Sequence, residues 1–325
     1  MKRNTLFKLH NTNNFNEIAL DIFRFQAINN IVYNTFLTYL KVDINSIQKI
    51  EDIPFLPIQF FKSHKILTSK EATEQIFLSS GTTGMEQSKH YVTDISIYEE
   101  SFTKTFQYFY GAIENYTILA LLPSYLERTG SSLIYMADNF IKKSNNPKSG
   151  FYLNNLDELA KNLIELDKKG EKVLLIGVSF ALLDLLDKYK FNLKNTIIME
   201  TGGMKGKRKE LIREELHSIL CNGFGVSEIH SEYGMTELLS QGYSKGNGIF
   251  ECSPWMKILT RDTEDALTIL PEGKSGGINV IDLANINSCS FIATQDLGKT
   301  YKNNTFEVLG RFDNSDIRGC NLLVL

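Results

Sequence analysis

Apolar positions in the first forty residues recur at helical spacing. Ile18, Ile22, Phe25, Ile28, Val32 and Phe36 fall three or four apart among polar residues, which predicts one or two amphipathic helices over residues 15 to 40. Pro54 and Pro57 then interrupt regular structure, and Ile66 to Thr68 and Gln75 to Leu78 read as short strands. From there helical patterns near 94–110, 131–142, 156–169, 179–189 and 206–220 alternate with apolar runs at Thr117 to Leu122, Lys172 to Ile176, Thr196 to Met199 and Ser227 to Ser231. The alternation predicts an α/β fold with a partly parallel sheet flanked by helices. In the 206–220 helix, Ile212, Leu216, Ile219 and Leu220 share one face, which is expected to pack on that sheet.

After residue 245 the pattern changes to short β runs: Ile249 to Cys252, Lys257 to Thr260, Leu267 to Leu270, Gly277 to Asp282, Ser290 to Thr294 and Thr305 to Leu309. Gly, Asp and Asn turns separate them, predicting a small antiparallel barrel or meander. The expected organisation is an α/β core over 1–245, a β-rich subdomain of the same core over 246–310, and a tail over 311–325.

Composition acts mainly by exclusion. Thirty-eight acidic against thirty-five basic side chains leave a formal charge of −3, which offers nucleic acid no general attraction. The apolar run Ile118 to Leu122 stops at Pro123, too short to insert in a bilayer. Lys2 and Arg3 are followed by polar Asn11, Thr12, Asn13 and Asn14 where a signal peptide needs an apolar stretch, so a cytoplasmic location is expected. Cys221, Cys252, Cys289 and Cys320 form no C-x-x-C pair and fit reduced thiols.

Candidate chemistry begins at Ser79-Ser80-Gly81-Thr82-Thr83-Gly84, directly behind the apolar Ile76-Phe77-Leu78. Two glycines permit close backbone approach, and hydroxyls and amides can donate to phosphate oxygens; a plain Ser/Thr/Gly surface turn is the other reading. The Walker A spacing is absent, although Lys89 lies five residues on and could add a cation. Tyr233-Gly234-Met235-Thr236-Glu237 offers a stacking face, a hydroxyl and a carboxylate able to hold Mg²⁺; read alone, a core aromatic and a solvated acid fit as well. Asp296, in Thr294-Gln295-Asp296-Leu297-Gly298, could accept both hydrogen bonds of a ribose diol at a strand end, or simply form a turn. Arg311 follows in Gly310-Arg311-Phe312-Asp313. His230 reads as an acid- or adenine-pocket residue or a satisfied core histidine, and Trp255 as a pocket wall or core. Lys205, Lys207, Arg208 and Lys209 read as a phosphate site or a solvated helix face.

In this order the segments resemble the adenylate-forming superfamily of acyl-CoA ligases, luciferase and adenylation domains. The resemblance implies that Ser79 to Gly84 is the phosphate loop and Thr201-Gly202-Gly203 the adenine-side turn. It makes Tyr233 the adenine-stacking aromatic, Thr236 an α-phosphate contact, Glu237 the Mg²⁺ ligand and Asp296 the ribose binder, with Arg311 and Asp313 at the ribose and hinge. From about residue 50 onward the chain is more closely similar to the acyl-protein synthetase branch. The stretches that carry this are Leu122-Pro123-Ser124-Tyr125-Leu126-Glu127-Arg128, Ser253-Pro254-Trp255-Met256-Lys257, Arg261-Asp262, Asn279 to Ala284, and Arg318-Gly319-Cys320.

That branch implies ATP-dependent activation of a carboxylic, notably fatty, acid and passage of the acyl group to a cysteine near the C-terminus, a place held here by Cys320, which read alone fits a core thiol of an apolar C-terminal strand equally well. An acyl reductase or carrier protein would be the next acceptor. Larger superfamily members continue past Gly-Arg-x-Asp into a small domain bearing a catalytic lysine, whereas this sequence ends fifteen residues after Gly310. Lys89, Lys205 or a partner would then fill that role, or the enzyme would be slow. An acid-CoA ligase of the phenylacetate type and a non-catalytic nucleotide-binding component remain the alternatives.

Overall fold

In the computed structural model of the chain, the described residues are 6–7, 12–68, 70–79, 86–123, 130–153, 155–202, 208 and 211–312. Two helices come first, α1 (Thr12–Asn29) and α2 (Ile31–Tyr39), then β1 (Leu56–Pro57), α3 (Phe60–Ser63) and a hairpin of β2 (Gln75–Leu78) and β3 (Lys89–Val92). The α/β series runs α4 (Ile95–Tyr110), β4 (Thr117–Leu121), α5 (Ser132–Ser144), β5 (Gly150–Phe151), α6 (Leu156–Lys168), β6 (Val173–Val178), α7 (Ser179–Lys188), β7 (Thr196–Thr201), α8 (Arg213–Phe224) and β8 (His230–Tyr233). Short strands complete it: β9 (Gly242–Ser244), β10 (Ile249–Cys252), β11 (Met256–Arg261), β12 (Ser275–Asp282), β13 (Phe291–Thr300) and β14 (Thr305–Arg311).

One sheet carries most strands in the order β11-β12-β13-β14-β10-β9-β8-β7-β6-β4-β5, with β1 alongside β13. From β5 to β8 neighbours run parallel, and from β8 to β11 they run antiparallel. The ladder therefore crosses residue 245 without a break, since β9 pairs with β10. Every residue of β4 and β6 is buried, which is why these strands read as unbroken apolar runs: helices cover both faces of a parallel sheet. Phe140 of α5 packs on Phe102 and Phe106 of α4, with centroids 5.4 and 5.0 Å away. Helices α7 and α8 approach at Gly223, where an added Cβ would come within 2.3 Å of a Leu186 methyl.

Several elements differ from the sequence expectation. Helix α1 buries Ile18 and Ile22 with Phe15, Ala19, Phe23 and Ala27, but leaves Phe25 and Ile28 exposed. The period breaks because α1 ends at Asn29 and Asn30 caps a new helix, accepting from the Tyr33 amide and donating to the Ser288 carbonyl. Ile66 to Thr68 is not a strand; the Thr68 amide donates to the Asn287 carbonyl and its hydroxyl to that of Ser288, which fixes a loop. Helix α8 starts at Arg213, so Ile212 is its exposed N-cap, and Ile219 is also exposed; Leu216, Leu220 and Phe224 form the buried stripe. Leu267 to Leu270 makes only one bridge, Arg261 to Ile269, because Asp265 turns the chain by accepting from the Leu267 amide and Thr268 hydroxyl. Strand β8 begins at His230 rather than Ser227 and includes Tyr233, and Asp296 lies inside β13 rather than at a strand end. Strands β1, β3, β5 and β9 were not expected. Among the described residues no helix is long and apolar enough to cross a membrane.

Candidate active site

Alternation along β8 sends Ser231 and Tyr233 to one face of the sheet and His230 and Glu232 to the other. Tyr233 is buried edge-on against Phe306 and Phe250, at centroid distances of 5.4 and 6.1 Å. Its hydroxyl donates to Asp296 Oδ2 at 2.9 Å. Register places Asp296 of β13 directly opposite Arg311 of β14, whose Nε lies 3.2 Å from Asp296 Oδ1. Burial raises the Asp296 carboxyl, and the Arg311 charge, the Tyr233 hydroxyl and the Arg261 charge oppose that shift. Burial, then the Asp296 charge, hold the Tyr233 phenol well above its ordinary value, so it remains a donor.

Arg261 supports this corner from beneath. Its guanidinium donates to the carbonyls of Ile278 and Thr294 and to Asn279 Oδ1, and sits over the Phe312 ring at 5.7 Å. The Phe312 amide donates to the Gln295 carbonyl at 2.7 Å. The segment after Arg311 is thus tied beside Asp296.

The chain from Gly234 to Gln241 has neither helix nor ladder, so side chains satisfy its backbone. His90 Nδ1 lies 2.9 Å from the Thr236 carbonyl oxygen, and Asn285 Nδ2 donates to the Glu237 carbonyl at 2.7 Å. Asp282 accepts from the amides of Leu239 and Ser240 at 2.8 and 3.0 Å and from the Ser240 hydroxyl at 2.6 Å. The Glu237 carboxyl is buried, which raises its pKa; a hydrogen bond from Ser88 and the Arg311 charge pull it down, and Asp296 adds a push upward. Ser88 closes the base of the β2–β3 hairpin: its amide donates to Ser79 Oγ at 2.9 Å, and its carbonyl accepts from the Ser79 amide at 3.1 Å.

Glu237 is therefore where three predicted segments meet. Ser79 and Ser88 come from the hairpin, Thr236 and Glu237 from the turn after β8, and Asp296 with Arg311 from β13 and β14. Ser80, Gly81, Thr82, Thr83 and Gly84 lie outside the described residues, as do Gly203, Lys205, Lys207, Lys209, Asp313 and Cys320. Lys89 is exposed, opposite Leu78 across the hairpin. Gly202 has φ +66°, and its carbonyl accepts from the Ser179 hydroxyl at 2.9 Å, so the turn after β7 needs a residue tolerant of the left-handed region. Arg208 is paired with Asp184 and Asp187 on the surface. His230 shares a 3.1 Å hydrogen bond with the Tyr110 hydroxyl, and burial and then Lys245 lower its pKa to about 4. Trp255 is core, with Nε1 donating to Ser101 Oγ at 2.9 Å.

Carboxylates beside the site were missed in the sequence reading. Glu232 pairs in register with Thr201 and Tyr243 and accepts from the Thr201 hydroxyl at 2.6 Å. It is half-buried by surface area yet deep among neighbouring atoms, and desolvation pushes its carboxyl up to about 7. The missed signal was an acid near the end of each of two adjoining strands, Glu200 in Thr196–Thr201 and Glu232 in His230–Tyr233. Among the described residues no group of three metal-ligating side chains converges. A magnesium ion would therefore rely on Glu237 together with phosphate and water oxygens, which suits a hard cation that keeps most of its own shell. A buried carboxylate that takes a hydroxyl bond from Ser88 and feels the charges of Arg311 and Asp296 fits that donor role.

Solved structures with this fold include adenylate-forming enzymes. ATP-bound MatB from Rhodopseudomonas palustris is 18% identical, with a TM-score of 0.56 over 75% of this chain and 49% of that one. The long-chain-fatty-acid-CoA ligase FadD1 from Archaeoglobus fulgidus is 15% identical, with a TM-score of 0.54 over 75% and 52%. 2-Hydroxyisobutyryl-CoA ligase in complex with 2-HIB-AMP and CoA is 11% identical, with a TM-score of 0.68 over 94% and 70%. The chain spans about half the length of the MatB structure it matches. None of the curated proteins matches it in a sequence search. The LuxE acyl-protein synthetase family matches over residues 7–325, nearly the whole length, and the chain belongs to that family.

Proposed function

We propose that this protein uses ATP to activate a carboxylic acid, in particular a fatty acid, as its acyl adenylate and then transfers the acyl group to a protein thiol. One observation carries the proposal: the hairpin base, the Thr236–Glu237 turn and the Asp296–Arg311 pair meet around one buried carboxylate.

A carboxylate is a poor electrophile because its oxide is a poor leaving group, so it must first be converted to a mixed anhydride. Its oxygen attacks the α-phosphorus of ATP and pyrophosphate leaves. A thiolate then attacks the acyl carbon, forming a thioester and releasing AMP with the original carboxylate oxygen. Magnesium, when bound, spreads the charge on the phosphate oxygens. Glu237 would hold that ion, and Thr236 and the Ser79 to Gly84 loop would hold phosphate, with Lys89 near the loop's exit. Asp296 accepts the ribose hydroxyls, oriented by Tyr233 and Arg311, while the Tyr233 ring and the Gly202–Gly203 turn flank adenine.

Cys320 is the proposed acyl acceptor. It follows Phe312 by eight residues, an extended reach of up to about 28 Å from the anchor beside Asp296. An acyl reductase or carrier protein would receive the group next. Free thiols at Cys221, Cys252 and Cys289 support a cytoplasmic setting.

Acid-dependent pyrophosphate–ATP exchange across fatty and aryl acids tests the first half, and absence of exchange with every acid, with or without partner proteins, overturns it. Intact mass after incubation with ATP and the active acid tests the second. A hydroxylamine-labile acyl adduct lost in Cys320→Ser is expected; acyl-CoA formation without any adduct would move the acceptor to coenzyme A.

A further inference from the structure

Strand β3 carries a histidine that the proposed chemistry leaves unused. His90 is fully buried, its ring edge-on to Phe61 at 5.7 Å. Its Nδ1 faces the Thr236 carbonyl oxygen at 2.9 Å. A carbonyl oxygen only accepts, so Nδ1 carries the hydrogen and Nε2 of the neutral ring is left as an acceptor. Burial lowers the imidazole pKa to about 4, so the ring stays neutral at physiological pH. Nε2 has no protein partner, and neither does the buried Thr93 Oγ1. Both residues line one cavity of about 10 Å³, which Leu239, Ala284 and Ser288 help to close. A single water needs roughly that much room and two or more polar partners.

We propose that His90 is a positioning residue for the Thr236–Glu237 turn, a Nδ1–H strut from the β2–β3 hairpin, with one water in the adjoining cavity joining its Nε2 to Thr93 Oγ1. The turn has no ladder of its own, so the orientation of the peptide after Thr236 depends on what its carbonyl meets. That peptide leads directly into Glu237. The strut also links the strand that closes the phosphate-loop hairpin to the turn that presents the carboxylate, so loop and carboxylate hold a fixed spacing. The kinetic consequence rests on the proposed adenylation; the tautomer and the water do not.

Nitrogen-15 NMR of the imidazoles, assigned with His90→Asn, should show a neutral ring with hydrogen on Nδ1 that does not titrate between pH 5 and 8. Hydrogen on Nε2 would overturn the strut whether or not the protein activates any acid. In Thr93→Val the Nε2 resonance should move downfield, toward a nitrogen that accepts no hydrogen bond; an unmoved resonance eliminates the water. In the exchange assay His90→Asn, which keeps an amide donor at the Nδ1 position, should retain kcat within about threefold. His90→Gln and His90→Phe should lose about tenfold or more in kcat at unchanged KM for the acid, because the turn is misplaced rather than the acid pocket. An Asn variant as impaired as Gln, or all three at the wild-type rate, would refute the positioning role.

Discussion

Gly234 does not adopt positive φ, so its requirement for glycine is one of space. A Cβ added there would stand 2.4 Å from Glu232 Oε1, whereas Glu232 Cδ at 3.5 Å and Gln241 Cγ at 3.6 Å are ordinary contacts. In Gly234→Ala, Glu232 Oε1 must retreat by about 1 Å to reach normal contact, and turning the carboxylate to do so draws Oε2 out of line with its 2.6 Å bond from the Thr201 hydroxyl. Losing that pair outright would cost about 1–3 kcal/mol, which bounds the effect from above. If instead the turn moves, the Thr236 carbonyl leaves His90 at a similar cost. A double-mutant cycle in urea separates this clash from any general intolerance of alanine. Gly234→Ala should lower stability by up to about 1–3 kcal/mol in the wild-type background, and by less than about 0.5 kcal/mol in Glu232→Ala, where the obstructing oxygen is gone. Equal losses in both backgrounds would refute the steric reasoning and return the requirement to backbone conformation.

Glu232 also predicts a pH dependence. Its folded pKa of about 7 lies above the ordinary 4.5, so the folded protein keeps a proton that the unfolded chain has released. That contribution is fully present below pH 4.5 and is lost as pH rises toward 7; Glu232→Gln should flatten the slope in urea midpoints across that window, and an unchanged slope would count against it. Tyr233→Phe removes a hydrogen bond to a largely buried carboxylate, worth about 1.5–3 kcal/mol, and should raise KM for ATP while leaving KM for the acid unchanged in the exchange assay. Phe224 is fully buried and stacked on Phe191 at 5.5 Å, so Phe224→Ala should cost about 3–5 kcal/mol in thermal or urea unfolding without altering either KM.

The parallel half of the sheet was legible because burial on two faces demands continuous apolar runs, as in Thr117–Leu121 and Val173–Val178. Helix limits were harder. Ile28 and Ile31 continue a helical period across Asn30, and only the capping hydrogen bond shows that two helices meet there with both side chains in solvent. Strand β3 was hidden because its two buried positions are His90, whose Nδ1 lies against the Thr236 carbonyl, and Val92, so only one of them is apolar. At the site, Tyr233, Asp296 and Arg311 were named through resemblance, yet the ion pair depends on the β13–β14 register and the Tyr233–Asp296 bond on β8 and β13 being brought together in space, neither of which a local pattern encodes. The supports Asp282, Asn285 and Arg261 were not identified as such, because polar residues on short strands look solvent-facing until the partner segment is placed over them.

Strand β8 is bonded in parallel to β7 on one side and antiparallel to β9 on the other, and it ends in Tyr233. The two halves are thus stitched through a common spine, so a clamshell motion between them would have to tear backbone hydrogen bonds at the floor of the site.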